Sequence, residues 1–358
     1  MEPQKKTSRR RFLHGALLGA AAVGLSGAGI AAYRLWRGRG RQSPVITGIG
    51  TSLPEMRNPG GMESRLLSHR LAGRLDLDLR RPRALALDTH GHLYVAGDQV
   101  VQVYPSDFSG SATASVAAAI DPRGVPSCLA VGRDDRLYVG VGEKVLVFDE
   151  RGVQVAACSA PEPNAVLTSI ALALDSPDTP DSSAAVYAAD FANRRVWRME
   201  LSSQRADAIG APATDGSDRG FIVPSPFFSV AVDDAGTIWV TNPGRHRVEQ
   251  YSPSGVYQGS WGKYAEALEG FCGCCNPGYV AAWRPSGGAA GLLTSEKGSP
   301  RVKIYDRAGA LQSVVAAAEQ FSPQAQGLAL AADTHGRVWV LDPRARAVLR
   351  FEPLEGRA

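Results

Sequence analysis

Apolar and polar residues alternate along most of this chain in short runs, each closed by a turn-forming cluster, and the runs come in similar groups. RPRALALDTHGHLYVAGDQVVQVY (81–104) is followed by VPSCLAVGRDDRLYVGVGEKVLVF (125–148), then by LTSIALALD and AAVYAADFANRRVWRM within 167–199. PFFSVAVDDAGTIWVTNPGRHRVEQY (226–251), NPGYVAAWRPSGGAAGLLTSEKGSPRVKIY (276–305) and GLALAADTHGRVWVLDPRARAVLRF (327–351) complete six copies. Each reads as an apolar strand, an Asp-x-x-Gly-like turn, a strand ending in an aromatic-Val pair, a polar loop and a third alternating strand. The anchor residues Tyr94, Tyr138, Tyr187, Trp239, Leu293 and Trp339 are spaced by 44, 49, 52, 54 and 46 residues. That period fits four-stranded propeller blades, with VYQGSWG (256–262) and LQSVVAA (311–317) as outer strands.

The predicted fold is therefore all-β, a six-bladed propeller of four-stranded antiparallel blades over residues 81–358. The last copy ends after its third strand. Residues 44–80 are predicted to form a linker and to supply the missing outer strand around RLLSHRLAGRL (65–75), which closes the ring and removes an exposed sheet edge.

The first 43 residues follow a different pattern. Ser8-Arg9-Arg10-Arg11-Phe12-Leu13 precedes the small-residue apolar run Gly15–Tyr33, and together they resemble a twin-arginine export signal. No A-x-A site ends the run, and its 19 residues suffice to span a bilayer at about 1.5 Å per residue. The expectation is export through the twin-arginine machinery to an extracytoplasmic location, with the segment acting as a membrane anchor if it is not cleaved. Setting it aside leaves 30 basic against 34 acidic residues, a balance of −4 in place of the whole chain's +4. Nothing in that balance favours a nucleic-acid partner.

ADFANRRVW (189–197) and NPGRHRVEQY (242–251) carry a closer likeness. With the Asp-x-x-Gly turns and aromatic-Val strands of the copies, these Asn-x-Arg-Val-like elements resemble the NHL-repeat β-propellers over roughly residues 80–352. The insertion SPDTPDSS (176–183) and the segment WRPSGGAAG (283–291) depart from the pattern. The resemblance implies the fold but not one activity, since such propellers host unrelated functions. Some related propellers are lyases or lactone hydrolases with metals held by His, Glu, Asn or Asp on several inner strands, and this chain has few such residues there. Others bind RNA, against which export and the acidic balance argue.

Candidate chemistry gathers on one predicted face. EGFCGCCNPGY (269–279) holds three of the five cysteines and leads into the innermost strand of blade 5. Propeller topology places it beside the loops between second and third strands. That face collects the ligand-binding candidates Asn276, Glu296, Lys297, Arg301, Asn242, Arg245, Asp190 and Asn193. Cys272, Cys274 and Cys275 are candidate ligands for a metal or an Fe–S cluster, although C-x-C-C matches no familiar spacing. A disulfide, buried structural thiols and redox chemistry remain alternatives. No Ser-His-Asp order, H-E-x-x-H motif or phosphate loop occurs. The expected function is a binding or scaffold module for a protein, glycan or small molecule, with a metal- or thiol-dependent enzyme as the alternative.

Overall fold

In a computed structural model, residues 63–105, 118–173, 185–210, 220–323 and 325–355 are described. The export-signal region lies outside them. Among the described residues no helix is long and apolar enough to cross a membrane.

The described chain forms six four-stranded antiparallel sheets, the predicted propeller. Blades 1 to 5 each use four consecutive strands, and blade 6 takes its outermost strand from the beginning of the domain. His69–Asp76 pairs antiparallel with Ala347–Pro353, from His69 opposite Pro353 to Asp76 opposite Ala347. Just before it, Leu67 bridges Val314 of blade 5, and the Ser68 amide donates to the Val314 carbonyl at 3.0 Å. The incoming chain thus touches two blades.

Alternation along each strand places apolar side chains on both blade faces, so the core consists of layers between adjacent blades. Val95, Leu93, Trp339 and Leu75 fill the layer between blades 6 and 1. Trp239, Phe271, Tyr305 and Leu292 fill the one between blades 4 and 5.

The recurring Asp of the turns has a local cause. Asp233 Oδ1 accepts the amides of Ala235 and Thr237 at 2.9 and 3.0 Å, and Asp333 does the same for His335 and Arg337. A carboxylate that takes two backbone donors fixes the tight turn between the first two strands. His90 and His335 belong to these turns.

The six innermost strands surround a central channel with a cavity of about 280 Å³. Small aliphatic residues dominate its wall, and Arg284 is the charged residue among them.

Candidate functional site

Strand register lets the blades be compared position by position. Asp190, Asn242, Ser295 and Asp342 end the second strands of blades 3 to 6, opposite Arg195, Arg247, Val302 and Ala347. Asp190 Oδ1 accepts the Val166 amide at 3.0 Å, Asn242 Oδ1 the Ile222 amide at 2.9 Å, and Asp342 Oδ2 the Ser322 amide at 2.7 Å. In each case the donor belongs to the connection leading into the innermost strand. These side chains tie that connection to its own blade.

Four of the sequence candidates are consumed in this way. Asp190 also receives Asn193 Nδ2 at 2.8 Å and the Trp197 indole at 3.0 Å. Asn242 Nδ2 donates to Gly220 O and to Glu249 Oε1, and Arg245 Nε donates to Gly220 O. Asp190 and Asn242 are fully buried.

Blade 5 does the same task with charges. The Ser295 hydroxyl donates to Leu328 O at 2.7 Å, and the Cys272 amide points to Oε2 of Glu296, the next residue, at 3.4 Å. Glu296 is 2% exposed, inside the blade rather than on the face. Arg301 Nη2 donates to its Oε2 at 3.0 Å, and Lys303 Nζ lies 2.7 Å from Oε1. Lys303 also donates to the carbonyls of Leu268 and Gly270 at 2.9 and 2.8 Å, and its ammonium lies 4.9 Å from the Phe271 ring centre. Burial lowers the Lys303 pKa, and Glu296 opposes that shift.

The register positions equivalent to Lys303 are Val101, Val145, Val196, Val248 and Val348, all fully buried. One lysine among five valines was visible in the sequence and is the signal that sequence reasoning missed. Its partner Glu296 and Arg301 were recognised, but as ligand-binding residues; the structure buries both in this network.

The three cysteines divide between two environments. Cys272 Sγ faces Arg301 Nη2 at 3.3 Å and Glu296 Oε2 at 3.9 Å. Burial and the Glu296 charge raise its thiol pKa against the opposing pull of Arg301 and Lys303. Cys274 and Cys275 point elsewhere, with their sulfurs 3.0 Å apart. Asn276 holds the turn between the two environments: its Nδ2 donates to Cys272 O and Lys297 O, and its Oδ1 accepts the Lys297 amide at 2.9 Å.

Cys275 is buried and receives the Ser225 hydroxyl at 3.6 Å, while Lys297 Nζ donates to the same hydroxyl at 2.7 Å. Burial alone raises the Cys275 thiol, but hydrogen bonds from Lys297, Cys274 and Ser225 and the Lys297 charge outweigh it, and the net direction is below the ordinary thiol value. The hydrogen bond to Cys275, together with burial, holds the exposed Cys274 thiol above that value.

Lys297 lies 5.0 Å from the centre of the Phe227 ring. That ring crosses toward the start of blade 6, where a Cβ added at Gly327 would come within 2.7 Å of it. Gly327 has φ +69°, so glycine suits both the backbone and the close approach. Ser225, Phe227 and Gly327 were not among the sequence candidates.

The donor set does not fit a resident metal or cluster. Among the described residues no group of three or more His, Cys, Asp or Glu side chains is arranged to hold an ion. Cys272 Sγ faces Arg301 and Glu296, while the Cys274 and Cys275 sulfurs contact each other. All five cysteines are free thiols.

No family model matches the chain, and no curated protein matches it. Among solved structures it is similar to a streptogramin B lyase, with 9% identity and a TM-score of 0.52, covering 80% of this chain and 98% of that one. A selenomethionine-substituted virginiamycin B lyase from Staphylococcus aureus gives 13% identity and a TM-score of 0.49, covering 80% and 89%. At 9% identity the likeness to the first of these shows the propeller fold alone.

Proposed function

We propose that this protein is an exported propeller of the NHL type that acts as a binding module, taking an anionic group of a protein, glycan or small ligand at the mouth between blades 4 and 5. The observation that carries this reading is the state of Lys297. Arg195, Arg247, Arg301 and Lys303 each face a carboxylate, Glu162, Glu249, Glu296 and Glu296 respectively. Lys297 is half-buried, touches Ser225 and Phe227, and has no carboxylate partner among the described residues. A partly desolvated ammonium over an aromatic ring attracts a carboxylate or phosphate more strongly than a fully hydrated one.

Thermal-shift screening of carboxylates, phosphates and acidic peptides tests the reading. Binders should stabilise the wild type and lose that effect in Lys297→Met; binding that survives this substitution would remove the mouth as the site. Export and tethering are tested separately. Arg9→Lys with Arg10→Lys should leave the chain in the cytoplasm, and the unsubstituted chain should fractionate with membranes. The alternative of a thiol-dependent enzyme draws support from one observation, the Cys274–Cys275 contact.

A further inference from the structure

Cys274 and Cys275 are chemically unequal in a way that the fold does not require. Cys274 is exposed and Cys275 buried, their sulfurs are 3.0 Å apart, and the Ser225 hydroxyl, which accepts from Lys297 Nζ at 2.7 Å, donates to Cys275 Sγ at 3.6 Å. The buried sulfur is therefore the one equipped to carry negative charge. The exposed one is the one that a second molecule can reach.

We propose that Cys274 and Cys275 form a thiol–disulfide exchange site poised toward the oxidising side, whose disulfide form takes two electrons from a substrate dithiol. This goes beyond the binding reading and does not depend on it. In the forward direction a substrate thiolate attacks Cys274 Sγ. The bond between the two cysteine sulfurs breaks, and its electron pair leaves on Cys275, whose thiolate is received by Lys297 and Ser225. The substrate is now joined to Cys274 through a mixed disulfide. Its second thiolate attacks the substrate sulfur of that bond, closes a substrate disulfide and expels the Cys274 thiolate. Cys274 takes up a proton released by the substrate and shares it with Cys275 across the contact seen here. The substrate dithiol has lost two electrons and two protons; the cysteine pair has gained both electrons and one proton, and the second proton passes to solvent. Another disulfide reloads the site by the same steps in reverse.

Two physical arguments give the direction. Leaving sulfurs depart faster when their thiolate is stabilised, and a stabilised reduced form makes the couple more oxidising. Adjacent residues also hold their Cα atoms about 3.8 Å apart, below the roughly 4.4–6.8 Å that most disulfides span. A disulfide between them is therefore strained and easily reduced. Cys272 cannot replace either partner, because its sulfur faces Glu296 and Arg301.

The test uses the full chain equilibrated in glutathione buffers of graded ratio, with Cys274 and Cys275 read by alkylation and peptide mass spectrometry. The wild type should form a Cys274–Cys275 disulfide that dithiothreitol reduces rapidly. Lys297→Met should shift the equilibrium toward the disulfide by about tenfold for one unit of thiol pKa and slow its reduction by a smaller factor. Ser225→Ala should act in the same direction by less, and serves if Lys297→Met fails to fold. Cys275→Ser should trap a mixed disulfide between glutathione and Cys274, whereas Cys274→Ser should give none at the buried Cys275. Absence of the disulfide at every ratio, or an equilibrium and rate unmoved by both Lys297→Met and Ser225→Ala, would overturn the proposal.

Discussion

Blades 4 and 5 face the same problem, how to fix the connection that enters the innermost strand, and they answer it with different chemistry. Blade 4 uses the neutral amide of Asn242, which accepts one backbone donor and reaches a carbonyl and Glu249. Blade 5 uses Glu296 between Arg301 and Lys303, with all three nearly or fully buried. The amide costs little to bury once it is hydrogen-bonded, whereas the charges are tolerated only as a complete set. A neutral anchor leaves its loop as plain structure. The ionic anchor pins Leu268, Gly270 and Cys272 and leaves Cys274, Cys275 and Lys297 outside its network.

The sharpest way to break this comparison is Glu296→Gln, which removes the charge that Lys303 and Arg301 share. We expect a loss of about 3–5 kcal/mol, the range for an orphaned buried charge, measured by urea denaturation. Adding Lys303→Val to that variant restores the valine of the other blades and should recover part of the loss, by about 1–3 kcal/mol. No recovery would mean that the carbonyl contacts of Lys303 outweigh its charge. Asn242→Ala in blade 4 should cost about 1–3 kcal/mol, since the Ile222 amide loses its acceptor and Glu249 one donor, while Arg247 keeps that carboxylate paired. If it costs as much as Glu296→Gln, the contrast between neutral and ionic anchors fails.

The smallest effect is on pH dependence. Cys275 ionises more readily in the fold than in the unfolded chain, so its contribution is present above the ordinary thiol value of 9.0 and is lost as pH falls through its lower folded value. Cys274 is shifted the other way, so its contribution is present below 9.0 and is lost as pH rises through its higher folded value. Stability measured in reducing buffer should therefore rise toward that pH from the acid side, by less than about 1.4 kcal/mol per unit. Cys275→Ser should flatten that rise.

The repeat made the architecture legible because each blade restates it: alternation, the Asp turn and the aromatic-Val strand recur at a steady period. The site was harder to read for the same reason. Asp190, Asn193 and Asn242 look functional in isolation, since polar residues at loop starts near a channel are often ligand contacts. Only their hydrogen bonds to Val166, Pro163 and Ile222 identify them as ties within the blade. Glu296 was grouped with them as a ligand-binding candidate, but whether it faces solvent or core depends on Lys303, seven positions on and inside a strand. Ser225 and Phe227 approach the cysteine loop from about 50 residues away, as the Ser225–Cys275 separation shows, and no local pattern announces such a contact.

The strand that completes blade 6 also imposes an order on biosynthesis. Arg70 emerges 282 residues before its partner Glu352. At translation rates of about 5–20 residues per second the strand waits roughly 15–60 s for the edge it will join. Throughout that interval it is an unpaired strand, the kind of element that recruits other chains. Arg70, Arg74 and Asp76, exposed even in the finished blade, put charge along it. They make the waiting strand a poor template for a neighbouring nascent chain.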